Sequence, residues 1–367
     1  MQIRENARVL MNTGFPRHRI RWIMLILALT VAVASVLDAL SLMWFQPVLP
    51  SRQFVAGEFR HFASDSGAGD DEEEIPWDAF SVSETESIGY ATLLNLSSTL
   101  QRNVSYTCAP NAWIPKIKVC LFPESRDRLV SRQISKSGTW EERNTAVFIA
   151  IMAQYPQLDL IDIGANLGQY SLLAAGMRRK VVSVEPYAPS TRRLAKSYDL
   201  NGFNGSDVVL IKDAISDHRG SVTLRTWRHT QSAVMVATGN LSSCDPPCLV
   251  PTSSILMDDL LPVIRTKFPN MSEIFLKMDI EGHEHKALNT SNNLFSKQLV
   301  AFILMEWVGM KQILAGRLGS KQDILEVYYM VQGLKHRGYD HYFVNKRALI
   351  SQQFRLPDSM WEHWPDE

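Results

Sequence analysis

The stretch Ile161-Asp162-Ile163-Gly164-Ala165-Asn166-Leu167-Gly168-Gln169-Tyr170 constrains the fold most, because it sets a glycine turn between a β-branched apolar run and a helix start. Glycine lets the main chain turn tightly and approach a ligand with no Cβ in the way. Asn166 adds an amide able to hydrogen-bond inside the turn. A second apolar run, Val181-Val182-Ser183-Val184, ends in Glu185, roughly 20 positions after Asp162, where an acid can bind ribose hydroxyls.

A dinucleotide loop reads G-x-G-x-x-G, whereas this turn reads G-x-N-x-G. The departure points away from NAD and towards S-adenosylmethionine. The competing reading is a strand-to-helix turn that binds nothing, and the co-occurrence of turn and distant acid argues against it.

From about Leu158 the pattern alternates strand and helix. Strands are expected over 158–163, 180–185, 208–212, 273–280 and 299–307, and helices over 169–177, 189–201, 254–267, 283–290 and 321–337. Residues 341–345 with 349–354 read as a closing hairpin, and the stretch around Thr223-Leu224-Arg225 as irregular. Such alternation implies an α/β fold, a mostly parallel sheet with helices on both faces, binding ligands at the carboxyl ends of its strands.

Ahead of this domain, Ile23 to Phe45 is a mostly apolar segment, and a helix needs ~20 such residues to cross a bilayer. Arg4, Arg8, Arg17, Arg19 and Arg21 precede it, which places residues 1–22 in the cytosol. A cleaved signal or an Arg-rich mitochondrial presequence are the alternatives. With an uncleaved anchor at 23–45, the chain is a single-pass type II protein of the secretory pathway, in the Golgi or the endoplasmic reticulum. Residues 46–105, with the run Asp70-Asp71-Glu72-Glu73-Glu74, then read as a partly disordered luminal stem, 106–157 as a lead-in, and 158–367 as the luminal catalytic domain. Asn-x-Ser/Thr sequons at Asn95, Asn103, Asn204, Asn240, Asn270 and Asn289 agree with that placement, as does an even set of cysteines. Sequence neighbours suggest the pairs Cys108–Cys120 and Cys244–Cys248, though four cysteines allow three connectivities. Lys plus Arg equals Asp plus Glu at 38 each, so no basic field marks a nucleic-acid partner.

Lys277-Met278-Asp279-Ile280-Glu281-Gly282-His283-Glu284 is the second dense constellation. Charges at the carboxyl end of an otherwise apolar strand, followed by glycine, suggest a working edge. The alternative is an edge strand with a wet face and a Lys277–Asp279 ion pair.

Taken in order, Asp162-Ile-Gly-Ala-Asn-Leu-Gly168, Val184-Glu185-Pro186, Asp213-Ala-Ile-Ser-Asp217, Asp258-Asp259-Leu260 and the block from Lys277 to Glu284 resemble the FkbM-type methyltransferase family over Asp159 to Trp307. Asp127-Arg-Leu-Val-Ser131 and Gly138-Thr-Trp-Glu141 also resemble the lead-in of membrane-anchored animal members and would cover the cofactor. The resemblance implies a class I, Rossmann-like fold that transfers a methyl group from S-adenosylmethionine, typically to oxygen. Asp162, Gly164, Asn166 and Gly168 would then hold the methionine and ribose end, Glu185 the ribose hydroxyls, and Asp213 the adenine amino group. Asp279 would face the sulfonium. His283 departs from the small residue often found there in this family.

Methyl transfer to a hydroxyl needs a base within hydrogen-bond reach, and Glu281, His283 and Glu284 are the candidates, with His285 behind them. Glu306 could pair with Asp279 around a divalent cation, but two carboxylates are too few to assign a metal. The luminal setting points to a glycan hydroxyl as acceptor. A metal-dependent luminal glycosyltransferase shares the anchor-and-stem layout, with Asp279-Ile-Glu281 mimicking Asp-x-Asp, and a non-catalytic protein that kept the fold is the third reading. The sequence leaves the oligomeric state open.

Overall fold

Along the strand after Leu158, side chains part to opposite faces: Leu160 joins one apolar core, Ile161 and Ile163 the other. A strand buried on both faces belongs in the middle of a covered parallel sheet. The computed structural model describes residues 82–97, 105–227, 230–236, 249–339, 342–344 and 361–363. The proposed anchor, Cys244–Cys248 and the sequons at Asn103 and Asn240 lie outside these. No helix among the described residues is long and apolar enough to cross a membrane.

In chain order the strands are β1 (Thr85–Ile88), β2 (Ala91–Leu94), β3 (Cys108–Pro110), β4 (Lys118–Cys120), β5 (Asp159–Ile163), β6 (Val181–Val184), β7 (Val208–Ile211), β8 (Ala214–Ile215), β9 (Gly220–Trp227), β10 (Thr230–Val236), β11 (Leu249–Ile255), β12 (Glu273–Met278) and β13 (Leu299–Met305). The main sheet has the order β1-β2-β7-β6-β5-β12-β13. Its five strands from β7 to β13 run parallel, and the β1–β2 hairpin adds antiparallel to β7. Helices Glu142–Gln154, Gln169–Gly176 and Ala188–Leu200 bury Phe148, Leu173 and Leu194 on one face. Leu260–Lys267, Glu284–Leu288, Val308–Leu314 and Lys321–His336 bury Val263, Ala287, Met310 and Val327 on the other.

Several expectations change. Within the stretch 46–105 read as stem, Thr85–Leu94 belongs to the main sheet, because Ala91, Leu93 and Leu94 are apolar enough to be buried there. The stretch read as irregular is a second sheet, β10-β9-β11-β8. Ser254 and Ile255 end β11 rather than open a helix, which starts at Leu260. The edge-strand reading of the Lys277 strand also falls, since β12 lies between β5 and β13. Of the closing hairpin, Tyr342–Val344 is a strand, and 349–354 lies outside the described residues.

The order of connection reverses between β5 and β12. That makes their carboxyl ends the switch point where α/β sheets bind ligands.

Candidate active site

The turn after β5 is built by close approach. Gly164 has φ +75°, and a Cβ there would stand 1.8 Å from the Asp279 carbonyl oxygen, so only glycine lets the two strand ends meet. Asn166 follows at φ +50°, a left-handed conformation that asparagine tolerates better than most residues. Its main-chain N–H donates to Glu185 Oε2 at 2.7 Å, and the Tyr187 N–H donates to Oε1 at 2.8 Å. Burial pushes the Glu185 carboxyl up to about 7 against those two bonds.

Lys277 ties this turn to the second constellation. Its buried ammonium donates to the Gly164 carbonyl at 3.0 Å and lies 3.4 Å from Asp279 and 3.7 Å from Asp162. The Tyr170 ring stands 5.3 Å away. Burial works against the charge, but Asp279, Asp162 and Glu141 outweigh it and hold the amine well above its ordinary range.

A cavity of about 300 Å³ opens over these strand ends. Gly164, Ala165, Asn166 and Leu167 line it beside Glu185, with Ala214, Ile215 and Leu224 from the second sheet. Lys277, Asp279, Ile280, Glu281 and Glu306 line it at the exits of β12 and β13. Leu129, Val130, Ile134, Trp140 and Glu141 of the lead-in complete the wall. The lead-in helix Val130–Ser137 is fixed by Asp127, whose carboxylate accepts the N–H groups of Leu129, Val130 and Ser131. Glu141 in turn accepts the Tyr170 hydroxyl at 3.0 Å.

Five expected site residues stand off the cavity lining. Asp162 is fully buried beneath it, accepting Ser171 Oγ at 2.6 Å in a chain that continues through Ser183 to Tyr198. It acts as counter-charge to Lys277. Gly168 faces the helix Ala188–Leu200, where a Cβ would meet Leu194 Cδ1 at 2.2 Å. Asp213 accepts the Thr92 N–H at 2.6 Å and the Ser253 hydroxyl, joining the hairpin to the second sheet. Glu284 folds back to accept the Ile280 N–H at 2.9 Å and closes the turn that carries Glu281. His283 precedes the helix Glu284–Leu288, and burial pushes its imidazole down to about 4.

His285 is also remote, lying 3.3 Å from Asp323 and 3.7 Å from Glu326, where the Lys286 ammonium shares Asp323 at 3.4 Å. The residues that sequence reasoning undervalued are Lys277 and Glu306. The register that pairs Met278 with Met305 brings Glu306 beside Asp279.

The glycine turn, Glu185 and the carboxylates of Asp279, Glu281 and Glu306 thus meet on one cavity at the switch point of the parallel sheet. Residues 162–339 match the methyltransferase FkbM domain. No curated protein and no solved structure gives a significant match. The FkbM match begins at Asp162, under the turn, and runs through the helix Lys321–His336, so it takes in β12, β13 and most of the cavity wall. The lead-in residues that line the cavity lie ahead of the FkbM match.

Proposed function

We propose that the chain is an S-adenosylmethionine-dependent O-methyltransferase acting on a hydroxyl of a glycan or another secretory-pathway acceptor. The observation that carries this reading is the convergence of the Gly164–Leu167 turn, Glu185 and the carboxylates of Asp279, Glu281 and Glu306 on one cavity, within and beside an FkbM domain.

The donor set fits the cofactor. Five carboxylates and one ammonium line the cavity, and the ammonium is already compensated by Asp162 and Asp279, which leaves a site suited to a cationic ligand. Each Glu185 oxygen accepts one N–H and keeps a second lone pair, which can receive ribose hydroxyls. The N-terminus of the helix Gln169–Gly176 borders the same space through Leu167, Gln169 and Tyr170 and favours a ligand carboxylate. Asp279 would face the sulfonium. When bound, the cofactor supplies an electrophilic methyl group; the chain's part is to align the acceptor oxygen and take its proton. Alignment alone can lower such a barrier by several kcal/mol.

The luminal placement rests on two supports beyond the apolar segment 23–45. Cys108 and Cys120 form a disulfide, which suits an oxidising compartment. Asn95, Asn204, Asn270 and Asn289, the four sequons among the described residues, are all exposed.

Thermal-shift measurements test the cofactor: S-adenosylhomocysteine should stabilise the protein, and nucleotide sugars with manganese should not. The reverse pattern would replace the methyltransferase with a glycosyltransferase. Mass spectrometry of released glycans after incubation with labelled donor tests the acceptor, with a gain of one methyl expected. Label appearing only in lipids or small phenols would remove the glycan from this reading.

A further inference from the structure

The carboxylates that line the cavity are not equivalent. Two main-chain N–H groups clamp Glu185, the Tyr170 hydroxyl holds Glu141, and the Lys277 ammonium sits against Asp279. Glu306 differs, because among the described residues no protein donor reaches its carboxylate, although its main chain is fixed by an N–H to Met278 carbonyl bond of 2.9 Å. That bond and the strand register set Glu306 beside Asp279, each one residue past the end of its strand. An acid at the cavity wall with its lone pairs unspent is placed to accept a hydrogen bond from a ligand.

Its surroundings keep it a usable base. Burial comes first, followed by Asp279 and Glu281 after β12, Glu284 on the helix Glu284–Leu288, and Glu141 from the lead-in, and together they push the Glu306 carboxyl up to about 8. A proton acceptor is most effective when its affinity for the proton lies near the working pH.

Resting on the methyltransferase reading, we propose that Glu306 is the general base that removes the acceptor's hydroxyl proton during methyl transfer. The hydroxyl oxygen bonds to the methyl carbon, the O–H proton passes to the Glu306 carboxylate, and the carbon–sulfur bond opens with its electron pair left on sulfur. A neutral hydroxyl, a sulfonium and a carboxylate become an ether, a thioether and a carboxylic acid, so charge balances. The proton then leaves to solvent. Glu306 is mostly protonated at neutral pH, and a cation arriving beside it favours the carboxylate. The donor's own charge thereby arms the base.

Calorimetry on the full-length chain reads this without an acceptor. At pH 7.5, titrations in two buffers of different ionisation enthalpy should show proton release on binding S-adenosylmethionine and little on binding the neutral-sulfur product S-adenosylhomocysteine. Glu306→Gln should lose most of that release while product affinity stays within about threefold. Equal release in the variant overturns the assignment. With labelled donor and released glycans, wild-type kcat/KM for the donor should rise with pH and level off above about pH 8. In Glu306→Gln it should fall by about 10²–10⁴-fold and lose that pH limb, and Glu306→Asp should keep part of the rate with the limb intact. A Glu306→Gln rate within about tenfold of wild type, limb retained, overturns it as well. Proton release that Glu306→Gln loses, without glycan methylation, counts for Glu306 and against the glycan acceptor, whereas a wild type that binds neither cofactor form overturns the methyltransferase reading and this assignment with it.

Discussion

Glu185 and Glu306 stand at the mouths of two strands of one sheet, and both are pushed above the ordinary carboxylate range chiefly by burial. The difference lies in what holds them. Glu185 meets two N–H donors from the chain, whereas Glu306 meets none among the described residues and faces other carboxylates instead. An acid that the fold has satisfied can position a ligand, and an acid that the fold has left unsatisfied can react with one. Under the proposed function the cavity divides into a holding half at β5 and β6 and a proton-accepting half at β12 and β13.

Lys277 joins the two halves, so its loss should have the largest effect. Lys277→Met leaves Asp162 buried without a counter-charge and should cost about 3–5 kcal/mol in equilibrium denaturation, with loss of S-adenosylhomocysteine binding. A variant of wild-type stability would mean that the halves stand without their shared ammonium.

The next effect separates Glu185 from Glu306. In Glu185→Gln an amide NH₂ must face one of two main-chain N–H donors, which should cost about 1–3 kcal/mol at pH 5. Glu306→Gln displaces no protein donor and should leave stability at pH 5 unchanged. Because both carboxyls are raised in the folded state, to about 7 and about 8 from an ordinary 4.5, their contribution is full below that ordinary value and is lost as pH rises through 7 and 8. Wild-type melting temperature should therefore fall between pH 5 and pH 8. Glu306→Gln should remove part of that fall and melt a few degrees higher than wild type at pH 9. Identical pH profiles for the two variants would erase the distinction between the halves.

The smallest effect sharpens the border of the site. Asp213→Asn can still accept from Thr92 and donate to Ser253, so it should cost about 1 kcal/mol and leave S-adenosylhomocysteine affinity within about twofold. A large affinity loss by calorimetry would return Asp213 to the adenine side.

The holding half was legible in the sequence because it is local. The Gly164 turn, the apolar run of β6 and Glu185 follow one another in a single strand–helix–strand unit, whose spacing carries the geometry. The proton-accepting half is not local. Nothing near Glu306 announces its role, which arises only when parallel pairing sets β13 beside β12. Asp162 read as a ligand contact because it adjoins the turn, but side-chain alternation sends it inward to Ser171 and Lys277. The second sheet is hidden in the sequence for a related reason. Thr223, Leu224 and Arg225 alternate too weakly to mark a strand until β11, more than twenty residues on, pairs with them. The β1–β2 hairpin is hidden by its brevity, two four-residue strands close behind an acidic run.

The contact between Gly164 and the Asp279 carbonyl has a mechanical meaning. With no room for even one methyl group between them, the β5 turn and the β12 exit cannot part or slide without breaking the sheet, so they behave as a single anvil. The other wall, the stretch from Leu129 to Glu141, is held by hydrogen bonds instead, from Asp127 at the start of its helix and from the Tyr170 hydroxyl at Glu141. Differences in what the cavity accepts are therefore expected to arise in that lead-in segment rather than in the two strand ends.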